Sequence, residues 1–260
     1  NKIMQSKYFT VEVKPTLPAS KQHIGVFTAG DVLFDWTSFD VPRGTSRLIG
    51  ATMLVRPKGN AAVTANNFGA YLMFSKTDDK SLGTVNSAPN KVPNNDLLGF
   101  LEIETATSYI ATQLKSTTIG MAGRSSNTAS QPNLLLTPKP ETGTNVGYDK
   151  LYVAAVAEGA FFFGASLNAI AEDTDADHAD SKVITMDGSG MDVREHFIDG
   201  DVVHIGTTVG TPAADSLIGT VASADSATQI TLDDVSPTAL VDGDILYNIN
   251  PIRLILHFEK

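Results

Sequence analysis

The densest run of side chains able to do chemistry is acidic: Asp173, Asp175, Asp177, His178 and Asp180. Carboxylates at alternate positions resemble the opening of a calcium loop, because a hard divalent cation binds clustered oxygens. Two later positions depart from that pattern. The sixth is His178, where the loop's sharp turn takes glycine, and the twelfth is Ile184, where a bidentate glutamate would complete the coordination sphere. Asp173, Asp175 and Asp177 are the metal candidates of this chain, set against a plainer reading as a solvated acidic linker.

Other constellations are sparser. His23, His196, His204 and His257 have no partner at a diagnostic ligand or triad spacing. No Gly-x-Ser-x-Gly elbow, Walker A loop, strand-following Gly-x-Gly-x-x-Gly or His-Glu-x-x-His is present, so neither an enzyme nor a bound cofactor is expected. Trp36, Tyr71 and Phe74 could stack on a sugar ring, but aromatics alternating along strands ordinarily fill a core. A carboxylate pair for glycoside hydrolysis is set by folded geometry, and nothing here singles one out.

Charge and composition narrow the partners. The net charge is −10, which opposes general nucleic-acid binding, since that requires a basic face to displace counterions. Arg43, Arg47, Arg56 and Lys58 form the one local basic group, readable as a solvated strand end. Cysteine is absent, which excludes disulfides and thiolate chemistry. No apolar run approaches the roughly 18 residues of a membrane helix, and the opening NKIMQSKYFTVEVK lacks the apolar stretch of a secretory signal. Charged residues make up only 18% of a chain rich in small and polar residues, a β-rich composition.

The pattern along the chain predicts the scaffold. Residues 8–14 alternate, with Phe9, Val11 and Val13 on one face. Strands follow at 24–27, 29–42, 47–57, 70–77 and 97–104; the run at 47–57 is apolar enough to suggest burial on both faces. Residues 78–96 read as a polar connection. Residues 105–148 carry no strong period, and Leu134, Leu135 and Leu136 between two prolines read as an arm seeking a surface. Contact with another subunit is the favoured reading, with a loop covering its own domain as the alternative. A hairpin is expected over 151–170, turning at Glu158-Gly159, and 251–259 shows the cleanest alternation of all.

Between those last two strands a pattern occurs twice. Residues 184–205 and 230–249 each contain Ile-Thr-x-Asp, a variable connection, then Asp-Gly-Asp and an apolar run. The Asp-Gly pairs favour tight turns into strands. The expected architecture is all-β: a jelly-roll-like β-sandwich at 21–178 plus 250–260, of about eight strands. Residues 179–249 form an inserted, duplicated small β-barrel-like module between adjacent strands. Residues 1–20 form an N-terminal strand or arm, and 105–148 an extended one. Phe9, Val11 and Leu134 to Leu136 are the expected interaction residues.

The stretch IGTVASADSATQITLDD…ALVDGDILY at 218–247 resembles small β domains of tailed-bacteriophage virion structural proteins, which carry GTV-x-S-x-x-S-x-T-x-ITL followed by L-x-x-GD. It covers about a quarter of the chain. The resemblance implies a virion location after assembly in a host cytoplasm. It also implies a role as capsid decoration (cement) or tail-associated protein, partnered by the major capsid protein and by itself, as a trimer. Neither nucleic acid nor membrane is an expected partner. A host-surface glycan is the alternative partner, in the manner of an adhesin.

Overall fold

The computed structural model describes residues 7–23, 26–56, 69–92, 95–105, 118–122, 132–143, 147–160, 163, 182–186, 192–207, 215–240 and 244–260. In chain order the elements are β1 (Tyr8–Val13), α1 (Ala19–His23), β2 (Val32–Pro42), β3 (Ser46–Val55), β4 (Ala70–Ser75), β5 (Leu97–Thr105), β6 (Thr118–Ala122), β7 (Leu134–Leu136), β8 (Tyr148–Ala157), β9 (Val183–Thr185), α2 (Val193–His196), β10 (Val202–Thr207), β11 (Leu217–Ala224), β12 (Gln229–Leu232), β13 (Ile245–Asn248) and β14 (Ile252–Glu259). The fold is all-β, with antiparallel pairing throughout.

Nine strands form the body, in the order β1-β14-β3-β6-β5-β4-β8-β2, with β7 also paired to β3. Within it, β4, β5 and β6 are a meander and β3 returns beside β6, a Greek key. The sheet curls so that its two ends meet over one core. Phe258 of β14 stacks on Phe9 of β1 with ring centroids 5.0 Å apart, and Phe39 of β2 lies 6.3 Å from Phe258. β14 behaves as its alternation predicts: Ile252, Leu254, Leu256 and Phe258 are fully buried, with Arg253, Ile255, His257 and Glu259 on the half-exposed face.

Elsewhere the pattern was misleading, for local reasons. β3 is buried on one face only: Leu48, Ala51, Met53 and Val55 point into the core, while Leu54 and Ile49 lie partly open. In β2, irregularities between Val32 and Phe34 and between Phe34 and Thr37 break the two-residue period. Phe34 therefore joins the main core, while Trp36 packs with Val32 on the opposite face. That face is roofed by the 78–92 connection, which contributes Leu82 and Val92. Asp35 fastens this roof, accepting from the Leu82 amide (2.7 Å) and the Ser81 hydroxyl (2.5 Å). Of the expected hairpin, 148–157 is strand; its second half lies outside the described residues, except Ala160 and Phe163, the latter buried edge-on against Phe27.

The module is a second sheet, β13-β10-β11-β12-β9, drawn entirely from residues 183–248. It has its own core, including Ile184, Val193, Val203, Val221, Ile230 and Leu246. The duplication explains its layout. Equivalent residues of the two copies face one another across antiparallel pairs, Ile184 opposite Ile230 and His204 opposite Tyr247. Each pair is centred as an approximate two-fold exchange of the copies requires. The first Asp-Gly turn is present, with Gly200 at φ 80 leading into β10; in the second copy Asp242 and Gly243 lie outside the described residues. Of the strands expected to flank the module, β14 lies between β1 and β3 and the first half of the hairpin, β8, between β4 and β2; the half next to the module, apart from Ala160 and Phe163, lies outside the described residues.

Candidate functional site

The acidic candidates Asp173, Asp175 and Asp177 lie outside the described residues. Among the described residues no group of three His, Asp or Glu side chains could hold a metal ion. Trp36 is half-buried and its ring nitrogen donates to the Lys80 carbonyl at 2.9 Å, which ties one edge of the expected sugar platform to the roof loop. Phe74 is core, and Tyr71 faces outwards beside it.

The expected interaction residues are largely consumed by the chain itself. Phe9 and Val11 pack against the body core, and β1 pairs with β14 along its whole length. Leu134 and Leu136 point inwards from β7, which pairs with β3 through Leu48, Arg47 and Ser46. β6 is likewise a strand of the same sheet. The 105–148 arm is thus corrected where it is described: strands of three and five residues are too short to display a period.

What remains is a smaller exposed feature. Leu134 packs so closely on Gly99 of β5 that a side chain there would collide with it. The residues one step further along each strand, Phe100 and Leu135, point the opposite way. They are 68% and 61% exposed, two large apolar side chains on the outer face of the body.

A polar cleft of about 260 Å³ opens at the end of β4 and β8, lined by Lys76, Asp78, Asp79, Lys139, Glu141 and Tyr152. β4 and β8 place Tyr152 opposite Ser75, and a bridge between Lys139 and Lys150 brings the 138–142 segment alongside. Burial, then the carboxylates of Asp78 and Glu141, raise the pKa of the Tyr152 phenol, so it stays a neutral donor and acceptor. Ammonium and carboxylate groups together around a phenol suit a neutral, many-hydroxyl ligand better than an apolar one.

The most fully built polar site lies where the module meets the body. Arg56, just past β3, reaches across to the Asp201 carboxylate at 3.1 Å and the Glu195 carbonyl at 3.3 Å. Asp201 is completely buried and also accepts from the Asn248 amide (2.7 Å) and the Ile198 backbone (3.0 Å). Gln22 of α1 donates to the carbonyls of Leu17 and Asn248, and Asn250 to the Pro15 carbonyl. Burial lowers the pKa of Arg56 and Asp201 pulls it back up; a guanidinium remains a cation under such shifts. His196 beside it is held down to about 4, chiefly by burial and then by the charge of Arg56.

Comparison with protein-family models, with characterised proteins and with solved structures yields no match to this chain. The junction was not foreseen from sequence. Its one legible signal was the third residue of the first Asp-Gly-Asp: a tight turn needs Asp199 and Gly200, but gives no reason for a buried carboxylate at 201.

Proposed function

We propose that the chain is a structural protein of a tailed-phage virion, most specifically a capsid decoration (cement) protein that binds the major capsid protein and itself. The finer architecture that goes with this reading is a jelly-roll-like body carrying a barrel-like module. The observation that carries it is the exposure of Phe100 on β5 and Leu135 on β7, two large apolar side chains on strands of one sheet, which supports a protein contact on that face. The resemblance at 218–247 supplies the virion context. Because β1 and β7 are spent within the chain, draping arms no longer supply the contact. Adhesion through a preformed face, multiplied by symmetry, replaces them. A tail, neck or baseplate component would use the same face to close a ring of fixed number.

Light scattering tests the reading. The wild-type chain is expected as a trimer, and the double variant Phe100→Ser, Leu135→Ser as a folded monomer. A wild-type monomer at every concentration, or an oligomer indifferent to the double variant, removes this face as the contact.

The cleft favours a second reading, a carbohydrate-binding adhesin. It predicts that simple hexoses and hexosamines shift the amide signals of Lys76 to Asp79, and that Tyr152→Ala abolishes the shift.

A further inference from the structure

We infer that the junction between body and module is an acid-released latch, in which Arg56 bridges the two parts at neutral pH and a proton on His196 loosens them.

The latch lies between two separate apolar cores, and a third, small cluster of Ala19 with Tyr247 and Ile249 packs α1 against the module. The body supplies Arg56, whose side chain is only 12% exposed, and the module supplies Asp201 at 0%. His196 closes α2 on the module side, 8% exposed, and its Nε2 has no hydrogen-bond partner among the described residues.

The charges around that ring leave an added proton poorly served. From β3 comes Arg56, a like charge. On α2's own segment, Asp192 attracts it, but that carboxylate is already held by Arg194 at 2.9 Å and 2.6 Å. Glu195 has one buried oxygen without a partner among the described residues, while its backbone carbonyl accepts from Arg56. From the turn before β10, Asp201 is shared by Arg56, Asn248 and the Ile198 amide. From β14, Arg253 pairs with Glu12 and adds positive charge toward Arg56. Asn248 of β13 contributes an uncharged amide to the His196 carbonyl.

A ring that titrates near 4 in the closed state, and near its ordinary 6.5 once opened, couples opening to acid. The equilibrium constant for opening then rises by about a hundredfold between neutral pH and pH 4. The module stays tethered, because α1 is bound to it independently: the Leu17 amide donates to the Ile249 carbonyl at 2.7 Å, and Ser20 donates to Asp215. The latch therefore frees the orientation of the module without unfolding it. This holds whether or not the chain acts in a capsid.

The absence of native cysteine allows a clean test. Spin labels at Ser38→Cys on β2 and Ala239→Cys in the module, both exposed, report the distance between the two parts. One narrow distance is expected at about pH 7, broadening below about pH 5 while the far-ultraviolet circular dichroism holds. In His196→Gln, and again in His196→Asn, the narrow distance should persist to pH 4. In Arg56→Gln it should be broad already at neutral pH. Equal broadening in the wild type and both histidine variants overturns the proposal. So does a narrow distance in Arg56→Gln, or broadening that appears only as the whole chain unfolds.

Discussion

The body and the module are built from the same kind of antiparallel strand and differ in what fills them. The body core is large and aromatic, with Phe9, Phe258, Phe39 and Phe74 in successive ring contact across a curled sheet. The module core is small and aliphatic, ordered by a duplicated pattern that pairs with itself. Between them Arg56, Asp201, Asn248, Gln22 and Asn250 form a polar joint, beside a small apolar cluster of Ala19 with Tyr247 and Ile249. Apolar burial stabilises each part separately. A buried polar contact adds little net stability but tolerates few alternative geometries, because each group left unpaired costs about 1–3 kcal/mol. The orientation of the module is thus specified more than it is stabilised.

That division can be broken in order of size. Phe258→Ala removes a fully buried ring touching Phe9 and Phe39, and should destabilise the body by about 3–5 kcal/mol. Denaturant unfolding followed at Trp36 reads the loss, while exchange protection in β11 and β12 should change far less. Arg56→Met leaves the Asp201 carboxylate buried beside no cation, at a cost of about 3 kcal/mol confined to the junction. Isothermal unfolding of wild type and variant checks it.

Acid acts on the same place. His196 is neutral when folded down to about pH 4, whereas the unfolded ring takes a proton near 6.5. Stability is therefore lost progressively as pH falls from 6.5 to 4, by about 2–3 kcal/mol, and this term is flat below. His196→Gln should remove that slope from a pH series of denaturation midpoints. Ile230→Val, in the module core opposite Ile184, should cost about 1 kcal/mol and move only the module. Arg253→Gln breaks a partly exposed pair with Glu12 and should change stability by less than about 1 kcal/mol.

Sequence alone revealed what depends on local periodicity. The strands β1, β3, β8 and β14, the first Asp-Gly turn and the duplicated module all follow from alternation and turn chemistry. The features it hid depend on partners distant in the chain. β7 is three residues long and owes its place to β3 and to the absence of a side chain at Gly99. Leu134 to Leu136 read as an arm because their covering surface lies some ninety positions earlier in the chain, at Ser46 to Leu48. The irregularities of β2 turn Phe34 to the face opposite Val32 and Trp36 without any glycine or proline to announce it. Asp201 and Arg56 are 145 residues apart, and no spacing rule joins them.

Residue-resolved amide exchange on wild type and Arg56→Met tests the division into two cores and one polar joint most directly. Two distinct opening free energies are expected in the wild type, one for β3 and β14 and another for β10 and β11. In the variant, protection should fall at α2 and β13 while α1, β3 and β8 keep theirs. A single free energy shared by all strands, lowered uniformly by Arg56→Met, would contradict it.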